Sequence, residues 1–182
     1  MKISVIGAGT MGTGIAQIAS TAGHEVCLYD SFDESIENAK TILEKILKRL
    51  VEKERISCKE KENIINRINF SKKLEDIKDS KLVIEAIIEN LEIKQKVFSE
   101  IEELVSEDCI LSSNTSSLSI ASIAASCKNA ERVIGIHFFN PAPLMPLVEI
   151  IPAVQTSEKT LNTTKSIIDD WGKVTVIVKD TP

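Results

Sequence analysis

The sequence has only two histidines, His24 and His137, and four cysteines, Cys27, Cys58, Cys109 and Cys127, with no CxxC pair among them. Soft ligands at metal-binding spacing are therefore missing, and the chain is expected to hold no metal. A domain of 182 residues needs no disulfides, so the thiols are expected to be reduced and mostly buried. Positive charge is also scarce. Twenty-two Lys and Arg stand against 27 Asp and Glu, a net charge of −5, which leaves no electrostatic footprint for nucleic acid or an anionic membrane. No apolar run reaches the roughly 18 residues of a membrane span, and the first residues lead into a folded motif rather than the apolar core of a signal peptide. The expected location is cytoplasmic. Five prolines and seven glycines form no linker, and no internal repeat is visible. Residues 1–182 are read as one folded unit.

The chain is 43% hydrophobic, enough for a sizeable core, and its apolar periodicity alternates between short β-rich runs and longer helical stretches. This predicts an α/β fold, Rossmann-like and doubly wound around a mostly parallel sheet. Strands are expected at Ile3–Ile6, Val26–Tyr29, Leu82–Ala86, Ile110–Ser112, Val133–His137, Leu147–Ile151 and Val174–Ile177. Helices are expected at Met11–Ala22, Leu91–Val105, Ser119–Ser126 and Lys159–Trp171. After the second strand, Ile36, Ala39, Leu43, Ile46, Leu47 and Leu50 mark the apolar face of a helix of about twenty residues. A second helix, Lys59–Arg67 with Ile64, Ile65 and Ile68 on its apolar side, would pair with it as a helical hairpin insertion.

Gly7-Ala8-Gly9-Thr10-Met11-Gly12 fits GxGxxG and lies between a predicted strand and a predicted helix. The first glycine suits the tight turn, the second the approach of a pyrophosphate, and the third close helix packing, while the helix N-terminus offers free amides. Asp30, eighteen residues after Gly12 at the end of the next strand, can accept hydrogen bonds from both ribose hydroxyls and would repel the additional phosphate of NADP. NAD is therefore the expected cofactor. An ordinary helix N-cap is the alternative role for Asp30.

His137 closes the strand Val133–His137, at the edge where ligands bind open α/β sheets. An imidazole there suits the removal of an alcohol proton during hydride transfer. Glu149 interrupts the apolar run Val148–Ile150, and pairing with His137 would give it a partner and fix the ring tautomer. A hydrogen-bonded core histidine with an outward-facing glutamate is the alternative. Ser112 to Ser117, Ser-Ser-Asn-Thr-Ser-Ser, follows another strand and offers hydroxyls to a substrate oxygen, or alternatively caps for the next helix. No G-x-S-x-G elbow supports a serine nucleophile.

Four segments in this order, GAGTMG, EAIIENLEIK, SSNTSSL and HFFNPAP followed by LVEI, resemble the NAD-dependent L-3-hydroxyacyl-CoA dehydrogenases, including bacterial 3-hydroxybutyryl-CoA dehydrogenases. The resemblance spans essentially the whole chain. It implies interconversion of a short-chain 3-hydroxyacyl-CoA and its 3-oxoacyl-CoA, with His137 as general acid/base and Glu149 as its partner. Ser116 and Asn140 would be hydrogen-bonding groups near the substrate oxygen and the histidine. Glu89, Lys94 and Asn114 would contact the cofactor together with Gly7, Gly9, Thr10, Met11, Gly12 and Asp30. Lys53, in the helical hairpin, is the nearest match to a residue touching the CoA moiety. Without the resemblance, Glu89, Lys94 and Lys53 read as solvated helix residues. Members of this family continue for roughly another hundred residues into a helical domain that shapes the substrate cleft and carries dimer contacts. This chain ends where that domain would begin, which leaves open an excised cofactor domain, a truncation or half of a split enzyme. Pro146 stands where many acyl-CoA members carry lysine, as in branches resembling lambda-crystallin, so a free hydroxyacid is the alternative substrate. A non-catalytic NAD-binding module is the alternative from another class, and it would expose an apolar patch near Val178 to Pro182.

Overall fold

The computed structural model describes residues 1–181 and contains eight strands and six α-helices among them. In chain order these are β1 (Lys2–Ile6), α1 (Thr10–Thr21), β2 (Glu25–Tyr29), α2 (Asp33–Glu52), α3 (Cys58–Asn66), β3 (Ile68–Ser71), β4 (Leu82–Glu85) and α4 (Leu91–Leu104). They continue with β5 (Ile110–Ser113), α5 (Ile120–Ala124), β6 (Val133–Phe138), β7 (Leu147–Pro152), α6 (Glu158–Asp169) and β8 (Val174–Ile177). One sheet holds them all in the order β3-β2-β1-β4-β5-β6-β7-β8. Every neighbouring pair is parallel except β6 and β7, which are antiparallel. The expected doubly wound arrangement is therefore present, with its order reversing between β1 and β4, the switch point at which ligands bind such sheets.

Alternate residues of the strands enter two cores because successive side chains point to opposite faces. Ile3, Leu28, Ile84, Ile136 and Ile150 pack with α1, α2 and α6, while Ile6, Val83 and Leu111 pack with Phe98 and Ile101 of α4 and with Ile120 and Ile123. α1 carries no charged residue because both its neighbours and the sheet bury it, whereas α2 buries only Ile36, Ala39, Leu43 and Leu47. Ile46, assigned to that apolar face by its spacing, instead lies 36% exposed on α2.

The structure corrects three further expectations. Ile68 does not extend the apolar side of α3. It opens β3, a strand too short and too polar in Ile68-Asn69-Phe70-Ser71 to announce itself, stabilised by pairing with β2 from Val26↔Ile68 to Tyr29↔Ser71. α5 is five residues long rather than eight, with Ser119 as the N-cap that accepts from the Ser122 amide. Cys27 and Cys109 are buried, but Cys58 is exposed at the start of α3 and Cys127 is half-buried, so burial of the thiols is only partial. The short α3 begins with Ser57 and Glu60 capping each other's backbone amides.

Candidate active site

The glycine-rich turn leaves β1 and enters α1 at the carboxyl edge of the sheet. Gly7 has φ of 101°, a left-handed conformation that favours glycine, and a Cβ there would lie 2.7 Å from the Ala86 carbonyl oxygen. At Gly12 a Cβ would fall 1.8 Å from the Gly7 carbonyl oxygen, so only hydrogen lets α1 pack on the turn. A Cβ on Gly9 would meet nothing, which marks the open side of the turn. No side chain caps α1 and no acidic residue occupies its first turn, where Thr10, Met11 and Gly12 lie. Its first amides and positive dipole end thus suit a pyrophosphate.

The carboxylate of Asp30 ties this turn to β2. Its Oδ2 accepts from the Ala8 amide at 2.8 Å and its Oδ1 from the Phe32 amide at 3.0 Å. The N-cap of α2 is Phe32, without a side-chain cap, so Asp30 is not the cap of that helix. Gly7, Gly9, Asp30, Ile87 and Ile93 line one cleft of about 700 Å³. Its wall is mostly apolar and carries the Asp30 carboxylate as an acceptor, a lining that fits the adenosine half of a dinucleotide and disfavours an added phosphate.

Along the same edge, antiparallel pairing sets His137 directly opposite Glu149. His137 Nδ1 lies 2.8 Å from Glu149 Oε2, and its Nε2 lies 3.1 Å from Ser116 Oγ. The glutamate fixes the tautomer with the proton on Nδ1, so Nε2 is left to exchange protons with a ligand. The Phe139 ring packs against the imidazole at 4.7 Å. Asn114, just beyond β5, accepts from the Phe138 amide at 2.9 Å through its side chain and donates its own amide to the Glu85 carbonyl at 2.8 Å, which locks β5 to both neighbouring strands.

Between the two halves lies a charged cluster that the sequence reading understated. Lys94 is buried, and its Nζ sits 2.6 Å from Glu85 Oε1 and 3.3 Å from Glu89 Oε2. Lys94 is therefore no solvated helix residue. Glu89 Oε1 accepts from the Thr115 hydroxyl, from the Ser116 amide at 3.1 Å and from the Ser117 hydroxyl at 3.2 Å. Burial pushes the Glu89 carboxyl up, but the Thr115 hydroxyl, the Lys94 ammonium and the Ser116 amide outweigh it and hold the group below the ordinary carboxylate range. Glu85, fully buried at the end of β4, was missed in sequence. Its only signal was a charge closing the apolar run Leu82-Val83-Ile84.

Four predicted residues are less engaged. Asn140 is exposed, joined to Pro141 by a cis peptide bond, and among the described residues its side chain has no hydrogen-bond partner. Lys53 is the exposed C-cap of α2, a twenty-residue helix whose start adjoins Asp30, and so lies about 30 Å along the helix axis from that end at 1.5 Å per residue. Thr10 and Met11 flank the α1 terminus without side-chain hydrogen bonds.

The family model of the 3-hydroxyacyl-CoA dehydrogenase NAD-binding domain matches residues 2–181. The chain belongs to that family. NAD is its cofactor, in keeping with the uncapped α1 and Asp30. Among curated relatives, the 3-hydroxybutyryl-CoA dehydrogenase of Clostridioides difficile is 43% identical over 182 residues, covering 100% of this chain and 65% of that protein. The probable 3-hydroxybutyryl-CoA dehydrogenase of Bacillus subtilis is 43% identical over 181 residues, with 100% and 63% covered. The crystal structure of (S)-3-hydroxybutyryl-CoA dehydrogenase from Ralstonia eutropha superposes with a TM-score of 0.97 at 39% identity, covering 100% of this chain and 64% of that one. This chain thus spans less than two thirds of the length of these relatives.

Proposed function

We propose that this member of the 3-hydroxyacyl-CoA dehydrogenase family supplies the cofactor and acid/base half of an NAD-dependent oxidoreductase that interconverts short-chain 3-hydroxyacyl-CoA, 3-hydroxybutyryl-CoA foremost, and the 3-oxoacyl-CoA. The observation that carries the reading is the aligned series Ser116 Oγ, His137 Nε2, His137 Nδ1 and Glu149 Oε2, at the same carboxyl edge of the sheet as the glycine-rich turn. When bound, NAD supplies the hydride acceptor or, reduced, the donor. His137 Nε2 takes the C3 hydroxyl proton in the oxidative direction and returns it in reduction, while Glu149 steadies the imidazolium. Ser116 Oγ holds the substrate oxygen within reach of Nε2, and Asn140 adds a donor once substrate is present. A cavity of about 420 Å³ lined by Ser116, Leu118, Glu149, Ile151 and Val178 suits a short acyl chain. Lys53 offers a cation to the CoA phosphates, and Glu89, Lys94 and Asn114 serve the nicotinamide side of the cofactor.

Residues 1–182 form the NAD-binding domain in this reading, and a helical domain, in the same protein or a partner, completes the cleft. In this reading the protein acts in the cytoplasm on an acyl-CoA substrate. No helix among the described residues is long and apolar enough to cross a membrane. NADH oxidation followed by absorbance with acetoacetyl-CoA, against NADPH and free acetoacetate, tests the assignment. Turnover confined to NADH with the thioester supports it, and equal turnover of free acetoacetate makes the protein a hydroxyacid dehydrogenase.

A second reading, a non-catalytic NAD-binding module, is favoured by exposed Val174, Val176 and Ile177 on β8. That patch replaces the one expected at Val178 to Pro182, since Val178 is half-buried and Pro182 lies outside the described residues. NADH binding without turnover of any thioester or hydroxyacid, even with a helical domain added, would select it.

A further inference from the structure

Glu85 places three groups with its two carboxylate oxygens. Oε1 accepts from Lys94 Nζ at 2.6 Å and from the Ile87 amide at 2.7 Å, and Oε2 accepts from Ser113 Oγ at 2.7 Å. From these contacts two arms run to the same loop. In the short arm, Ser113 Oγ accepts from the Thr115 amide at 3.2 Å. The long arm passes through Lys94 to Glu89, whose Oε1 receives the Thr115 hydroxyl and the Ser116 amide. Thr115 Oγ1 in turn accepts from the Leu118 amide at 3.0 Å, closing the loop into the approach to α5.

A buried ion pair is weak evidence for stability, because desolvation of both charges offsets much of their attraction, and apolar residues of similar size often serve as well. What Glu85 and Lys94 supply that apolar side chains would not is direction: every donor at the base of the loop ends on a fixed oxygen. The loop so held carries Ser116, whose Oγ faces His137 Nε2 at 3.1 Å.

We propose that Glu85 is a positioning residue for the acid/base site, acting through Ser113 and through Lys94 and Glu89 to hold Ser116 against His137. This deepens the proposed function, since it rests on the reading of His137 as the acid/base. It also makes Glu89 and Lys94, the pair proposed to serve the cofactor, part of the same frame as the proton-transferring group.

The test reads the His137 ring directly by nitrogen NMR, with its signals identified by their loss in His137→Gln; His24 is the other histidine. Ser116→Ala defines the Nε2 position without the serine partner. Glu85→Gln should move the Nε2 resonance most of the way to that position, with Nδ1 still showing its bond to Glu149. Ser113→Ala, which removes one arm and leaves the ion pair, should move it part of the way and stands in should Glu85→Gln fail to fold. Glu102→Gln, which alters another buried carboxylate farther along α4, should leave it in place. An Nε2 resonance unmoved in Glu85→Gln and Ser113→Ala, or moved equally by Glu102→Gln, overturns the proposal. Turnover is not needed for this readout, so an inactive enzyme and a failed positioning role are told apart.

Discussion

His137 and Glu149 are separated by twelve residues in sequence and by 2.8 Å between Nδ1 and Oε2. Antiparallel register between β6 and β7 puts them opposite one another, so the pair is built by backbone hydrogen bonds before any side chain chooses a rotamer. Glu149→Gln keeps the shape of the pair and removes the charge that stabilises imidazolium. It should lower kcat with NADH and acetoacetyl-CoA by about a hundredfold or more, within the range of acid/base contributions. NADH affinity, measured by fluorescence titration, should stay unchanged.

The glycines separate packing from ligand approach. Gly12→Ala drives a Cβ against the Gly7 carbonyl and should cost about 1–3 kcal/mol in denaturant unfolding, with NADH binding lost. Gly9→Ala meets nothing in the protein, so its unfolding should match the parent while NADH binding weakens. Equal loss of stability in both variants would contradict the geometry of the turn.

Much of this arrangement was legible in the residues. The glycine-rich turn and the Asp30 acceptor follow from local chemistry, and strand ends locate His137 because a carboxyl edge gathers the site of any such sheet. The direction of β7 was not legible. Leu147–Ile151 has the same apolar character whichever way it runs, and only the pairing shows that Glu149 meets His137. β3 escaped because its stability lies in the ladder with β2 rather than in Ile68-Asn69-Phe70-Ser71 itself. Lys94 and Glu85 stayed hidden for another reason. A lysine in the first turn of an amphipathic helix is ordinarily solvated, and burial became tolerable only because Glu85, nine residues earlier, ends on the same point.

The thiols should react in order of exposure. Burial pushes Cys109 up to about 12 and Cys27 and Cys127 up to about 11, whereas Cys58 is exposed. Thiolate is the reactive form, so iodoacetamide at pH 8 should modify Cys58 first and leave Cys27 and Cys109 unmodified until the chain unfolds. Mass spectrometry of the native protein checks this, and early modification of Cys109 would contradict the packing of β5.

Glu102 gives the fold an acid-sensitive element. Burial pushes its carboxyl up, but the Asn129 and Lys128 amides and the Arg132 guanidinium outweigh this and leave it below its ordinary 4.5. A lowered carboxyl contributes stability at pH above the unfolded value and loses it as pH falls through the folded one. Glu102→Gln should be less stable at pH 7, and its stability should change less than that of the parent as pH falls below 4.5 in urea unfolding.

The most direct measurement is NADH consumption with acetoacetyl-CoA by the parent protein and by His137→Gln, paired with NADH binding to each. A loss of turnover of about a hundredfold or more with unchanged NADH affinity is the predicted result. Turnover retained in His137→Gln would contradict the assignment of this histidine as the proton-transferring group.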